Sequence, residues 1–329
     1  MKAHPLKIVF FGSGAFGLPT LRALAERHEL LAVVTQPDRP AGRKQRLTPT
    51  PIGEWAAAEI PKIPLLKPED ASSTEWIDRI RSFDTGIASE RCGGWVVIAF
   101  GQKLSPSLLA DRFAINLHAS LLPRWRGAAP INRAVLAGDR ETGNSVITLA
   151  DRMDAGLVLG QSRRPIEPTR TAGELHDLLA EDGPELIERV LSDYASDALN
   201  PVVQDEAAVT IARKLSKEQG FIDLASVSAD EARRRIHALN PWPGVTVRFR
   251  GEALKLLRAG SEQPGGGCEP GTLIDPASGT VACADNTALA LIEVQPAGKR
   301  PMAWQAFANG AKPVTGEVLE AMGRASVGE

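Results

Sequence analysis

The chain of 329 residues contains only three cysteines, Cys92, Cys268 and Cys283. Their number is odd and none makes a C-x-x-C pair, which argues against a disulfide framework or a zinc site and fits a reducing cytosol. No run approaches ~18 apolar residues, so no membrane-spanning helix is expected. The opening MKAHPLKIVFFG is likewise too short in apolar residues for a secretion signal. Charge of one sign is also missing: 38 Lys plus Arg oppose 40 Asp plus Glu, for a net of −2. No global field draws such a chain to nucleic acid or membrane, so binding of that kind has to come from local patches. There is no internal repeat. What remains is 43% hydrophobic and long enough for two domains. The expectation is a cytoplasmic monomer with no membrane partner and no tightly bound metal.

KIVFFGSGAFG (7–17) reads as a strand running into G-x-G-x-x-G, with Gly12, Gly14 and Gly17 in the positions of a dinucleotide-binding turn. That reading needs an acidic residue at the end of the second strand to hold a ribose. The second apolar run, ELLAVVTQPD, ends instead at Thr35 and Gln36, and Asp38 lies beyond a proline. Residues 6–38 still form a strand–helix–strand pattern, which implies a parallel sheet with helices on its faces. Apolar strands GWVVIAFG, AINLHAS, NSVITLA and GLVLGQ continue it, with helices between and a T-x-x-E capping box at Thr171 and Glu174. After about residue 195 the chain turns polar, then gives a capped helix (Ser228, Glu231) and short alternating strands suited to a small β-barrel. Arg233, Arg234 and Arg235 on that helix face either RNA backbone or solvent.

The segment AINLHASLLPRWRGAAP (114–130) carries the strongest chemical signal. In an extended strand Asn116 and His118 point to one side, near the carboxyl end where open α/β sheets place their sites. The plain alternative is that both merely satisfy nearby backbone groups. Asp154, in ADRMDAGLVLGQ, is a candidate carboxylate, with Asp151 competing for the role and a simple turn residue as the alternative. Asn, His and Asp together suit acyl transfer to an amine: donors for an oxyanion and a carboxylate to orient the ring and take a proton. An attacking amine needs no serine or cysteine nucleophile.

At these residues the chain resembles the methionyl-tRNA formyltransferase family. INLHASLLPRWRGAAPINRAVLAGDRETGNSVITLADRMDAGLVLGQ is similar to its central block, VTQPDRPAGRKQRLTPTP to its basic loop, KLSKEQGFID to its linker, and LNPWPG with VQPAGKR to its C-terminal part. The resemblance implies a Rossmann-like parallel-sheet formyltransferase domain (1–195), a linker (196–220) and a smaller OB-like β-barrel domain that binds tRNA (221–329). It implies transfer of the formyl group of 10-formyltetrahydrofolate to the α-amine of methionyl initiator tRNA. Asn116, His118 and Asp154 match the catalytic set, and Ser120, Leu121, Leu122 and Pro123 the folate-binding turn. Arg39, Arg43, Lys44 and Arg46 are four cations in eight residues, suited to phosphate contacts. In the family this loop meets the tRNA acceptor arm. No NAD(P) is expected, and the opening glycines are then structural. The chain departs from the pattern in about nine additional residues after Asp84, in Phe100 where tyrosine is common, and in Ser105 for a proline. Two other readings stay open: formylation of a sugar-nucleotide amine, and a non-catalytic RNA- or folate-binding module.

Overall fold

The run KIVFFG forms β1 (Lys7–Gly12), buried at every position after Lys7 as befits a parallel strand covered on both faces. The computed structural model describes residues 5–42, 45–83 and 92–322. From β1 the chain passes through α1 (Leu18–Arg27) to β2 (Glu29–Val34), which lies parallel to β1. There follow a hairpin of β3 (Arg39–Ala41) and β4 (Arg46–Thr48), then α2 (Pro51–Glu59), β5 (Leu65–Leu66), α3 (Thr74–Arg81) and β6 (Gly93–Ile98). Next come α4 (Pro106–Leu109), β7 (Ala114–His118), β8 (Arg126–Gly127), α5 (Pro130–Ala137), β9 (Glu141–Thr148), β10 (Val158–Pro165), α6 (Ala172–Ala195) and β11 (Ile211–Ala212). The main sheet has the order β10-β9-β7-β6-β1-β2-β5, parallel from β7 to β5, with β9 antiparallel to β7. This is the Rossmann-like α/β sheet that the sequence predicts.

Local signals set the helix ends. Thr50 Oγ1 accepts from the Gly53 amide 2.9 Å away to start α2, and Gly138, at φ +76°, stops α5. The capping box at α6 forms: Glu174 accepts from the Thr171 amide, and Thr171 Oγ1 from the Glu174 amide. The basic segment, expected to be a loop, is instead an antiparallel hairpin pairing Arg39 with Thr48 and Ala41 with Arg46. Gly42, at φ +68°, permits the reversal. Arg43 and Lys44 lie outside the described residues, as do residues 84–91 of the additional segment.

The glycine fingerprint has a packing explanation. A Cβ on Gly12 would come 2.6 Å from the Phe10 ring and 2.9 Å from the Ile98 carbonyl, and one on Gly17 would press on Phe10 and Ile98. At the end of β2, Thr35 bonds the Thr50 hydroxyl (2.6 Å) and Gln36 donates to the Phe100 carbonyl (2.9 Å). The groups standing where a ribose would be held are already committed to the fold.

Two units emerge from the chain. One comprises Met1–Arg126, Gly143–Arg164 and His176–Ile211; the other comprises Gly127–Thr142, Pro165–Leu175 and Ala212–Glu329. The second unit is built on α7 (Ala229–Ala238), β12 (Val245–Phe249), β13 (Glu252–Pro264), β14 (Leu273–Asp275), β15 (Thr280–Cys283), β16 (Thr287–Pro296), β17 (Met302–Ala303), α8 (Trp304–Ala311) and β18 (Leu319–Ala321). Its antiparallel sheet runs β14-β15-β16-β13-β12-β18. The ends then meet: the Leu273 amide donates to the Glu317 carbonyl (2.8 Å) and the Leu319 amide to that of Gly271 (2.9 Å). The barrel interior holds Val245, Val247, Leu256, Val281, Leu289 and Leu291, closed on one side by Ile236 and Leu239. Helix α8, which the sequence pattern does not signal, packs Trp304 into this core with its indole N–H on the Pro276 carbonyl. Asn309 and Gly310 are weak helix formers, so burial rather than propensity makes this helix.

Buried His237 on α7 is matched to one neutral tautomer. Its Nδ1–H donates to the Pro168 carbonyl, and Nε2 accepts from the Ala259 amide, each at 3.1 Å. Burial, with the Arg233 and Arg258 cations adding to it, pushes its pKa down to about 4. The unfolded chain, at about 6.5, takes up a proton that the folded chain refuses, so stability is full above pH 6.5 and falls towards pH 4. Urea titrations are expected to lose about 2–3 kcal/mol between pH 7.5 and 4.5 through this group. That increment should be missing from His237→Gln; an equal pH slope in the variant would refute it.

The three arginines of α7, left open between RNA and solvent, are engaged by protein. Arg233 donates to the Pro168 carbonyl, Arg234 to that of Ala137 and Arg235 to that of Gln219.

Candidate active site

Strand β7 delivers Asn116 and His118 at its carboxyl end, between β6 and β9. Alternation puts Ile115 and Leu117 into the apolar interior, buried at 0% and 3% exposure, and turns the two polar side chains the other way. Asn116 is partly exposed. His118 is almost enclosed, its side chain 8% exposed. The His118 Nε2–H donates to the Trp125 carbonyl 3.0 Å away. That oxygen can only accept, so it fixes the Nε2 proton and leaves Nδ1 facing the site.

Nδ1 looks towards Asp154, whose Oδ2 lies 3.7 Å away. The gap is longer than a hydrogen bond but within ion-pair reach, so a proton on Nδ1 would find a carboxylate waiting. Asp154 sits at φ +54°, a left-handed conformation that aspartate tolerates better than most residues. Asp151 is exposed. Among the described residues the turn after β9 brings Asp154, and not Asp151, to the imidazole. Sequence spacing alone could not choose between them.

The turn after β7 is tied from below. Ser120 Oγ donates to the Arg124 carbonyl (2.7 Å), and Ser145 Oγ donates to that of Ser120 (2.6 Å) and accepts from the Leu122 amide (3.0 Å). Gln161 Nε2 donates to the Leu122 carbonyl (3.0 Å) and to Ser145 Oγ (2.9 Å). Ser120 and Leu122 are buried, whereas Leu121 and Pro123 are partly exposed, so the turn presents alternate residues. Ser145 and Gln161, neighbours across β9 and β10, have no recognisable sequence signal beyond lying in apolar strands. Arg39 and Arg46 are exposed on the β3–β4 hairpin. Among the described residues no group of three His, Cys, Asp or Glu could hold a metal, and no helix is long and apolar enough to cross a membrane.

Comparison with known proteins adds to this geometry. Residues 6–191 match the family described as Formyl transferase, and residues 214–312 match Formyl transferase, C-terminal domain. The methionyl-tRNA formyltransferase of Methylococcus capsulatus is 39% identical over 307 residues, covering 92% of this chain and 96% of its own. That of Bacillus subtilis is 37% identical over 318 residues, covering 95% and 97%. Among solved structures, HypX from Aquifex aeolicus in complex with tetrahydrofolic acid superposes with a TM-score of 0.61 at 14% identity. The match covers 96% of this chain but only 49% of HypX. WlaRD, a sugar 3N-formyl transferase, superposes with a TM-score of 0.60 at 13% identity, covering 91% of this chain and all of its own. At such identities these two likenesses are of the fold.

Proposed function

This chain belongs to the methionyl-tRNA formyltransferase family, and we propose on that footing that it moves the formyl group of 10-formyltetrahydrofolate onto the α-amine of methionyl initiator tRNA. The observation that carries the chemistry is the convergence of Asn116, His118 and Asp154 at one strand end, with imidazole and carboxylate 3.7 Å apart. Among the described residues the Asn116 amide has no hydrogen-bond partner, which suits a group reserved for a transient oxyanion.

In this reading the amine nitrogen attacks the formyl carbon. The developing oxyanion is met by the Asn116 amide N–H and by His118 in its protonated form. Attack leaves the amine nitrogen cationic, and Asp154 takes a proton from it through water. The C–N10 bond then breaks and N10 of tetrahydrofolate receives a proton, so the amine loses one hydrogen and the folate gains one. Ser120, Leu121, Leu122 and Pro123 form the turn that contacts the folate. Arg39, Arg43, Lys44 and Arg46 contact tRNA phosphates. Residues 1–195 act as the catalytic part and 221–329 as the tRNA-binding part, joined by 196–220, in a cytoplasmic monomer.

Incubation with 10-formyltetrahydrofolate and Met-charged initiator tRNA, assayed for formyl-methionine beside a parallel aminosugar nucleotide, tests the reading directly. Product from the sugar alone would refute it. For the hairpin, alanine at Arg39, Arg43 and Arg46 is expected to weaken kcat/KM for tRNA by at least ~10-fold and flatten its dependence on log salt by about one unit per arginine lost, with KM for the folate unchanged. Unaltered tRNA kinetics would remove the hairpin from the interface.

A further inference from the structure

The polar stretch after α6, expected as a linker, contains one buried residue between 201 and 208, and that residue is Gln204. Three of its four hydrogen-bonding positions are filled. Nε2 donates to the carbonyls of Asp154 and Gly156, both at 2.8 Å. Oε1 accepts from Arg126 Nε at 2.9 Å. Reversing the amide would set its oxygen against two carbonyls, so the orientation is dictated. Six residues on, Thr210 Oγ1 accepts from the Trp125 amide (2.8 Å), and the Thr210 carbonyl accepts from the Arg126 amide (2.9 Å).

These two anchors land on the two backbones that control the active pair. Trp125, whose carbonyl holds His118, stands at φ +63°, a costly conformation for a bulky aromatic residue. Asp154 stands at φ +54°. Strained residues persist where their surroundings over-determine them, and here the bonds from Thr210 and Gln204 are part of that surrounding. Arg126 joins the two anchors, its backbone held by Thr210 and its buried guanidinium shared between Gln204 and Glu206. Arg152, two residues before Asp154, also pairs with Glu206 at 2.9 Å. The bonds form a chain that runs from His118 through Trp125, Thr210, Arg126 and Gln204 to Asp154, whose carboxylate faces the imidazole across 3.7 Å. A tether needing only to hold a connecting segment to the surface would not require a buried amide making three hydrogen bonds under the turn that carries the carboxylate.

We propose that Gln204 and Thr210 are positioning residues, and that residues 204–210 act as a strap setting the distance and angle between His118 and Asp154. The inference rests on the catalytic roles proposed above. Neither residue touches the reacting atoms. The strap fixes the Trp125 carbonyl that selects the imidazole tautomer, and it fixes the turn that aims the carboxylate.

Gln204→Met, Thr210→Val and Thr210→Ser, made in the full chain, test it. The first two are expected to lower kcat for formyl transfer by about 10- to 100-fold, the scale of a misplacement of about 1 Å, with KM for both substrates within about twofold. Thr210→Ser restores the acceptor and should return kcat to within about threefold of wild type. In the substrate-free protein, the His118 imidazole resonances in a 15N–1H spectrum should move in Gln204→Met and Thr210→Val and return in Thr210→Ser. That readout needs no substrate, so it holds even should the acceptor amine prove to belong to another molecule. If Gln204→Met does not fold, Thr210→Val, which removes a single hydroxyl, carries the test alone. Unmoved imidazole resonances, or a kcat loss no larger than the loss of folded protein, would reduce the strap to a tether and overturn the proposal.

Discussion

Replacing His118 by alanine is expected to lower kcat for formyl transfer at least ~10²-fold while tRNA affinity stays within about twofold. The lower bound is the usual contribution of one positioned acid–base group, worth about 2.7 kcal/mol of barrier. Among the described residues the ring has no partner on the β3–β4 hairpin, and it sits 8% exposed behind the Trp125 carbonyl, so its loss should act on chemistry rather than encounter. Asp154→Asn keeps the shape of the turn and its left-handed backbone but removes the charge facing Nδ1, and should cost a similar factor. In the proposed mechanism the two groups act as one unit, so the double variant should be little worse than the more damaging single variant. Steady-state and single-turnover kinetics with Met-charged tRNA decide the matter: turnover near wild type in either single variant would remove that residue from the mechanism.

The second large effect concerns folding. Gly156→Ala would place a Cβ overlapping the Thr148 carbonyl oxygen and 2.6 Å from its carbon, with Thr148 Oγ1 at 2.8 Å. The neighbour cannot withdraw cheaply. The Thr148 amide donates to the Leu157 carbonyl (3.0 Å), and Thr148 Oγ1 accepts from the Leu157 amide (2.9 Å), so this neck closes the turn joining β9 to β10. Stability should fall by at least about 3 kcal/mol, among the larger costs of a single substitution. Activity should fall further than stability, since Asp154 lies two residues away. Gly14→Ala is the natural control: among the described residues its Cβ would meet Ala99 alone, the methyl at 3.4 Å and the carbonyl oxygen at 4.0 Å, in an ordinary extended backbone. Urea midpoints should therefore separate the two variants widely; comparable stabilities would show that the neck can relax.

That contrast shows what the sequence could and could not disclose. The main sheet was legible because buried parallel strands read as unbroken apolar runs, and Asn116 with His118 because a strand's period is two. The G-x-G-x-x-G spelling was legible as letters but not as a cause: only the neighbours Phe10, Ile98 and Ala99 reveal which glycines are required and which is dispensable. Asp154 could not be told from Asp151, since the choice depends on how the turn after β9 folds back over the sheet. Gln204 was invisible, because a polar residue in a polar stretch carries no mark of burial; its partners are contributed by residues about 50 and 80 positions away. Helix α8 and the β3–β4 hairpin were missed for a related reason, their stability coming from contacts and turn geometry rather than from periodicity.

The meeting of β14 and β18 in the second unit has a consequence for how that unit can be read by another molecule. An open sheet exposes a rank of backbone donors and acceptors on which a foreign strand can add, whether a peptide ligand or a misfolded copy. Here the Leu273 and Leu319 amides spend those groups on the Glu317 and Gly271 carbonyls, each two residues ahead of the other's strand. Strand addition along that seam is closed off, so whatever docks on the seam has to recognise outward side chains, and the same closure spares the chain an aggregation-prone edge.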